Sequence, residues 1–198
     1  LTDGKGRLLT AVIDDDHRKR CVVTVKDENF TAKSPTQKFI AISPLKNSIR
    51  FEWFLEKAVE FGIDGIIPVI CERTEKHHLR TVRLTQIMIS AMLQSQQVWL
   101  PEIWEPLSFV DFINKHCKEN PLNGFHKFIA HCAADDQKKM LSEYQETGNA
   151  VLMIGPEGDF SANEIALAKA NSCTAVSLGV TRLRTETAGI AGAVLLCR

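Results

Sequence analysis

Ala150-Val151-Leu152-Met153-Ile154-Gly155-Pro156-Glu157-Gly158-Asp159-Phe160-Ser161-Ala162-Asn163-Glu164 is the stretch that decides the fold class. Its first five residues are apolar without alternation, the pattern of a strand buried on both faces. A turn with two glycines and a proline follows. Ser161 and Glu164 then form an S-x-x-E capping box that opens a helix through Ile165 and Ala168. A buried strand running through a tight turn into a helix is the repeating unit of an α/β domain with a largely parallel sheet.

The same alternation extends in both directions. Short apolar runs at residues 39–42, 65–70, 127–132 and 174–179 read as further strands, with Pro68 pointing to an end or edge position. Between them, Phe51, Phe54, Leu55, Ala58 and Val59 recur at helical spacing, with Gly62 as the stop. Leu84, Ile87, Met88, Ala91, Met92 and Ser95 form a second stripe. Ser108 is placed to cap a short helix carrying Phe109, Phe112 and Ile113, and a terminal helix begins at Thr185. Towards the N-terminus the pattern changes. Residues 8–13 and 21–25 are strand-like pieces around the charged stretch 14–20, a fragment of a small β domain, and the polar segment 31–38 with Ser34-Pro35 is read as the linker.

The composition narrows the function. With 198 residues and 44% hydrophobic content the chain can bury a substantial core. Its 24 basic and 24 acidic residues cancel, so any nucleic-acid contact must come from a local patch. Six single cysteines without CxxC spacing argue against both a zinc site and a disulfide framework. The pair His77-His78 does not share a helical face, and no metal is expected. No apolar run approaches the roughly 20 residues of a membrane span, and residues 1–7 carry no apolar signal core, so no membrane partner is expected and the chain is placed in the cytoplasm. Its first residue is Leu1 rather than Met, and the first element is read as incomplete.

Two glycine-bearing turns leave the carboxyl ends of the last two strands, where open α/β sheets bind ligands. One is 155–160; the other is Leu178-Gly179 followed by Leu183-Arg184-Thr185-Glu186-Thr187-Ala188. Neither carries a phosphate-binding lysine or a G-x-G-x-x-G, and Glu157 would repel a polyanion. A ligand roughly neutral overall, with an adenine and a ribose, suits backbone-lined pockets with an acidic residue for hydroxyls or an ammonium.

Residues 152–161 resemble the cofactor-loop motif IGPEGGFS of the RsmE family, the uridine-N3 methyltransferases of small-subunit ribosomal RNA. Residues 177–188 resemble its second motif, LGxRILRTETA. Residues 57–68 with Cys71-Glu72-Arg73-Thr74 are similar to KATELGVxxIIPxxxERS, and Gln94-Ser95 with Leu100-Pro101-Glu102-Ile103 to EQSxRxxxPxI. Four motifs in order cover about residues 39–198. Asp159 stands where the first motif has its second glycine; Val180 and Thr181 replace the usual residues before the second motif's Arg; and Gln96 and Gln97 stand where a Gly and an Arg are frequent.

The resemblance implies an S-adenosylmethionine-dependent enzyme of the SPOUT class, with a trefoil-knotted parallel sheet over residues 39–198 and a partial PUA-like β barrel for RNA binding over 1–30. It implies a homodimer acting on 16S rRNA within the 30S subunit. The cofactor would be held by Leu152, Ile154, Gly155, Pro156, Glu157, Gly158, Ser177, Leu178, Gly179, Leu183, Arg184, Thr185, Thr187 and Ala188. Methylation at N3 removes a weakly acidic imide proton. Arg184 or Arg73 is the candidate to stabilise charge on the uracil oxygens, and Glu186 is the candidate base, with helix capping as its other role. Lys46, Arg50 and Arg73 are candidates for RNA phosphate. Two alternatives are a SPOUT ribose 2′-O-methyltransferase and a non-catalytic RNA-binding or ribosome-assembly module.

Overall fold

The computed structural model describes residues 1–117, 122–134, 138–144 and 148–197. In chain order, the strands are β1 (Arg7–Asp15), β2 (Val22–Phe30), β3 (Lys38–Ile42), β4 (Gly65–Ile70), β5 (Glu102–Ile103), β6 (Leu107–Ser108), β7 (His126–Ala130), β8 (Lys139–Met140), β9 (Ala150–Ile154) and β10 (Thr174–Ser177). The helices are α1 (Ser48–Glu60), α2 (Thr81–Gln94), α3 (Phe109–Asp111), α4 (Ala162–Ala170) and α5 (Thr185–Leu196). Short π and 3-10 turns occupy Phe112–His116 and Leu141–Glu143.

The main sheet is parallel throughout, in the order β5-β4-β3-β9-β7-β10-β8, with β6 also pairing with β4. All five residues of β9 are buried. Side chains on the central strands alternate between two cores. Ile40, Ile42, Leu152 and Ile154 face α1, α2 and α5, whereas Phe39, Ala41, Val151 and Met153 face Phe109, Phe112 and Phe160. The helices therefore cover both faces, as a parallel sheet requires.

Local signals set most of the boundaries. The Asn47 side chain accepts from Ile49 N at 2.9 Å to start α1, and Gly62, at φ +86°, takes the left-handed turn that ends it. Ser108 accepts from Asp111 N, but the α-helix it opens lasts three residues before widening into the π turn. Pro68 lies inside the sheet order rather than at its edge. It falls between the short partners β5, which pairs with Gly65 and Ile66, and β6, which pairs with Val69 and Ile70, so its missing N–H interrupts neither ladder. The linker read as 31–38 ends one residue earlier, because Lys38 already pairs with Ala150.

β1 and β2 form a separate antiparallel hairpin, longer on its second strand than the apolar run suggested. Its base is tied to the main domain by Gly6 N to Val98 O (2.8 Å), Leu100 N to Gly4 O (2.9 Å) and Trp99 Nε1 to Thr31 O (2.9 Å). Among the described residues, no helix is long and apolar enough to cross a membrane.

Candidate active site

The two glycine-bearing turns do not flank neighbouring strands. β7 lies between β9 and β10, so its exit, Ala130-His131-Cys132, is inserted between them. The three strand ends frame one cleft with two lobes. One lobe, of about 420 Å³, is lined by Ala130, His131, Cys132, Lys138 and Val176 to Leu183, with Ala188. The other, of about 430 Å³, is lined by Ile154 to Glu157, Asp159, Arg50, Ala130, Cys132, Arg182 to Thr185, and Ala188. Ala130, Cys132, Arg182, Leu183 and Ala188 line both lobes and make them continuous.

Each wall is built by short-range chemistry. At Gly155 a Cβ would come within 2.9 Å of the Phe160 ring and 3.1 Å of its backbone N, so the turn closes only without a side chain there. Asp159 N donates to Pro156 O at 2.9 Å, and Asp159 takes the left-handed conformation, φ +65°. The helix that follows is held by the full capping box. Ser161 Oγ accepts from Glu164 N, and Glu164 Oε2 accepts from Ser161 N at 2.8 Å. Glu164 Oε1 also accepts from Glu72 N at 2.8 Å, which joins this loop to the segment after β4. On the second wall, Ser177 Oγ donates to Gly179 O at 2.8 Å and braces the exit of β10.

Arg50, Glu157 and Arg184 line the second lobe, with Glu186 buried beside it. Arg50, from α1, reaches both loops: its Nε is 3.6 Å from Glu186 Oε1 and its Nη1 is 3.9 Å from Glu157 Oε1. Glu186 is only 5% exposed, and its Oε2 has no hydrogen-bond partner. A buried carboxylate oxygen without a partner is costly, and such oxygens mark places where a donor from outside is expected. Arg184 occupies the N-cap of α5 with its side chain exposed on the cleft and makes no side-chain cap. Arg73 Nη1 donates to Gly158 O at 2.6 Å, bracing the first loop from outside. Lys46 pairs with Glu75 at 2.7 Å, and that carboxylate raises the lysine above its ordinary range.

Of the residues predicted to hold the cofactor, Ile154, Gly155, Pro156, Glu157, Ser177, Leu178, Gly179, Leu183, Arg184, Thr185 and Ala188 line the cleft. Leu152 sits deeper, within the sheet, where its Cδ2 lies against Gly192 of α5. Gly158 lies against the Arg73 side chain, and Thr187 is exposed away from the lining. Arg50 joins the cleft, while Arg73 and Lys46 sit outside it. The residues at the exit of β7, with Lys138, Asp159 and Arg182, were not among the predicted set. The strand at 127–132 was legible, but its place between the two loops was not. Among the described residues there is no cluster of His, Cys, Asp and Glu that could hold a metal ion.

The cleft is large enough for a nucleoside-sized ligand. Ile154, Leu178, Leu183 and Ala188 offer an apolar floor for a base, and Glu157 supplies a carboxylate acceptor for hydroxyl or ammonium donors.

A family model described as RNA methyltransferase domain matches residues 32–196. A protein of Synechocystis named "Ribosomal RNA small subunit methyltransferase E" is 31% identical over 95% of this chain. The chain spans 61% of that relative's length. Two solved structures superpose closely. The "probable rRNA-methyltransferase" from Porphyromonas gingivalis has a TM-score of 0.88 at 36% identity, covering 98% of this chain and 80% of that one. The ribosomal RNA small subunit methyltransferase E of Neisseria gonorrhoeae, bound to S-adenosyl methionine, has a TM-score of 0.85 at 30% identity, covering 98% and 79%.

Proposed function

Because the chain belongs to the RNA methyltransferase domain family, we propose that it is an S-adenosylmethionine-dependent enzyme that methylates N3 of a uridine in 16S rRNA within the 30S subunit. The single observation that carries this reading is the continuous cleft where β9, β7 and β10 end, built from the two loops of the family motifs. S-adenosylmethionine, when bound, supplies an electrophilic methyl group on a sulfonium. The backbone of 155–157, 178–179 and 183–185 would hold it, with Ile154, Leu178, Leu183 and Ala188 against its base.

The chain's own groups then have distinct tasks. A uridine must leave its stack to present N3 at the cleft. Glu186 Oε2, buried without a donor, accepts the imide proton, and Arg50 holds that carboxylate in place from Oε1. Arg184, exposed on the rim, is placed to balance negative charge on a uracil oxygen. Arg73 holds the first loop through Gly158 O, and Lys46 reaches RNA phosphate only by leaving Glu75.

The domain organisation we propose is a PUA-like RNA-binding unit at 1–30, a linker that ends before Lys38, and a catalytic domain that starts with β3 and carries a trefoil knot. The return of the chain from β10, at the far side of β7, to lay α5 against β3 and β9 supports the knotted path. Exposed Ile49 and Trp53 on α1 and Val82 and Leu93 on α2 offer apolar surface for a second copy, which supports a homodimer.

The test is incubation with labelled S-adenosylmethionine and 30S particles that lack the modification, followed by nucleoside analysis. N3-methyluridine is the expected product. A 2′-O-methylated nucleoside, or RNA binding without methyl transfer, overturns the assignment.

A further inference from the structure

Asp159 occupies the position where the resembled motif has a glycine, and it keeps the left-handed backbone that a glycine would take, φ +65°. Asp and Asn tolerate that conformation better than other side-chain-bearing residues, because a short polar side chain can bond locally. Here it bonds twice. Asp159 Oδ1 accepts from Phe160 N at 2.8 Å, within its own loop. Asp159 Oδ2 accepts from Cys132 N at 2.8 Å, across the cleft at the exit of β7. A glycine would make the first loop equally well but would leave Cys132 N without this acceptor.

That second bond matters because of where β7 lies. Its exit separates the two loops, and Ala130 and Cys132 line both lobes of the cleft. The position of Cys132 therefore sets how wide the passage between the lobes is. A bond from an N–H to a carboxylate is stronger than one between neutral groups, so Asp159 holds this junction more firmly than the hydrogen bonds of an ordinary loop.

We propose that Asp159 is a positioning residue for the methyl donor: by tying the exit of β7 to the loop after β9 it fixes the join between the two lobes. The proposal rests on the reading of the cleft as the donor site. It concerns a side chain that the resembled motif lacks at this position.

The full chain and its Asp159→Asn and Asp159→Gly variants are compared by hydrogen exchange at the Cys132 amide and by titration with S-adenosylmethionine. Asparagine keeps the left-handed backbone but offers one acceptor oxygen in place of two, and glycine relaxes the backbone but offers none. Both variants should exchange faster at Cys132 while β9 stays protected, and both should bind the donor about tenfold more weakly. In turnover, the KM for the donor should rise with kcat held. Unchanged exchange at Cys132, donor affinity within about twofold of the unaltered protein, or loosening throughout the core in both variants overturns the proposal. Failure of the unaltered protein itself to bind the donor overturns the donor reading and this inference with it, and the exchange result then shows separately whether the tie exists.

Discussion

At Glu186 one oxygen faces Arg50, and the other is buried with no donor. Replacing it by Gln keeps the shape and removes the proton acceptor. Glu186→Gln should lower kcat by about 10²–10⁴-fold, the usual worth of a general base, with donor affinity nearly unchanged; wild-type turnover in this variant would assign the proton to another group. Asp64 illustrates a titration effect away from the cleft. Burial pushes its carboxyl above the ordinary range, although Lys38 N donates to it at 2.8 Å. A folded-state value above the unfolded one means that stability from this group is complete below the unfolded value and is lost as pH rises through the folded value. Asp64→Asn is uncharged throughout, so its urea stability relative to wild type should improve as pH rises above about 4, the unfolded value. A difference that stays constant with pH would contradict this.

At the scale of elements, α4 and α5 hold the two walls by different means. The start of α4 depends on the capping box, in which Ser161 supplies one acceptor and Glu164 two, to Ser161 N and Glu72 N. Ser161→Ala should cost ~1 kcal/mol in urea unfolding. Glu164→Ala, which strands two donors, should cost about 2–3 kcal/mol; equal costs would show that the bond to Glu72 N contributes nothing. α5 has no side-chain cap and depends on packing instead. A Cβ on Gly189 would lie 2.6 Å from the Phe54 ring, which is fully buried. Helix propensity alone would favour Gly189→Ala by about 1 kcal/mol. Overpacking costs typically about 1–3 kcal/mol, so the variant should be destabilised overall, and a gain in midpoint would show that the ring can yield. Because Arg184 is the N-cap of α5, any shift of that helix also moves the second wall of the cleft.

For the whole molecule, the fold brings the ends of β9, β7 and β10, the start of α5 and Arg50 of α1 to one place, so a ligand in the cleft should stabilise all of them together. At about 100 times its Kd, S-adenosylmethionine should add ~2.7 kcal/mol. For a chain of this size that corresponds to a rise of roughly 5–10 °C in Tm by calorimetry, and no rise would argue against the cleft as the donor site. Features governed by short-range chemistry were legible in the sequence: the fully apolar run of β9, the capping box at Ser161 and Glu164, the stripe of α1, and the two turns with most of their lining residues. Strands of two residues and the π turn at Phe112–His116 were not, because so short a run leaves no periodicity to read. Strand order was also hidden, since pairing depends on contacts between residues far apart in the chain. The sequence by itself therefore determined the α/β units and the loops that carry the motifs. Only the tertiary structure decided that β7 separates those loops, that Cys132 and Asp159 join across them and that Arg50 meets a buried Glu186, because each of these is settled by burial and pairing between distant segments.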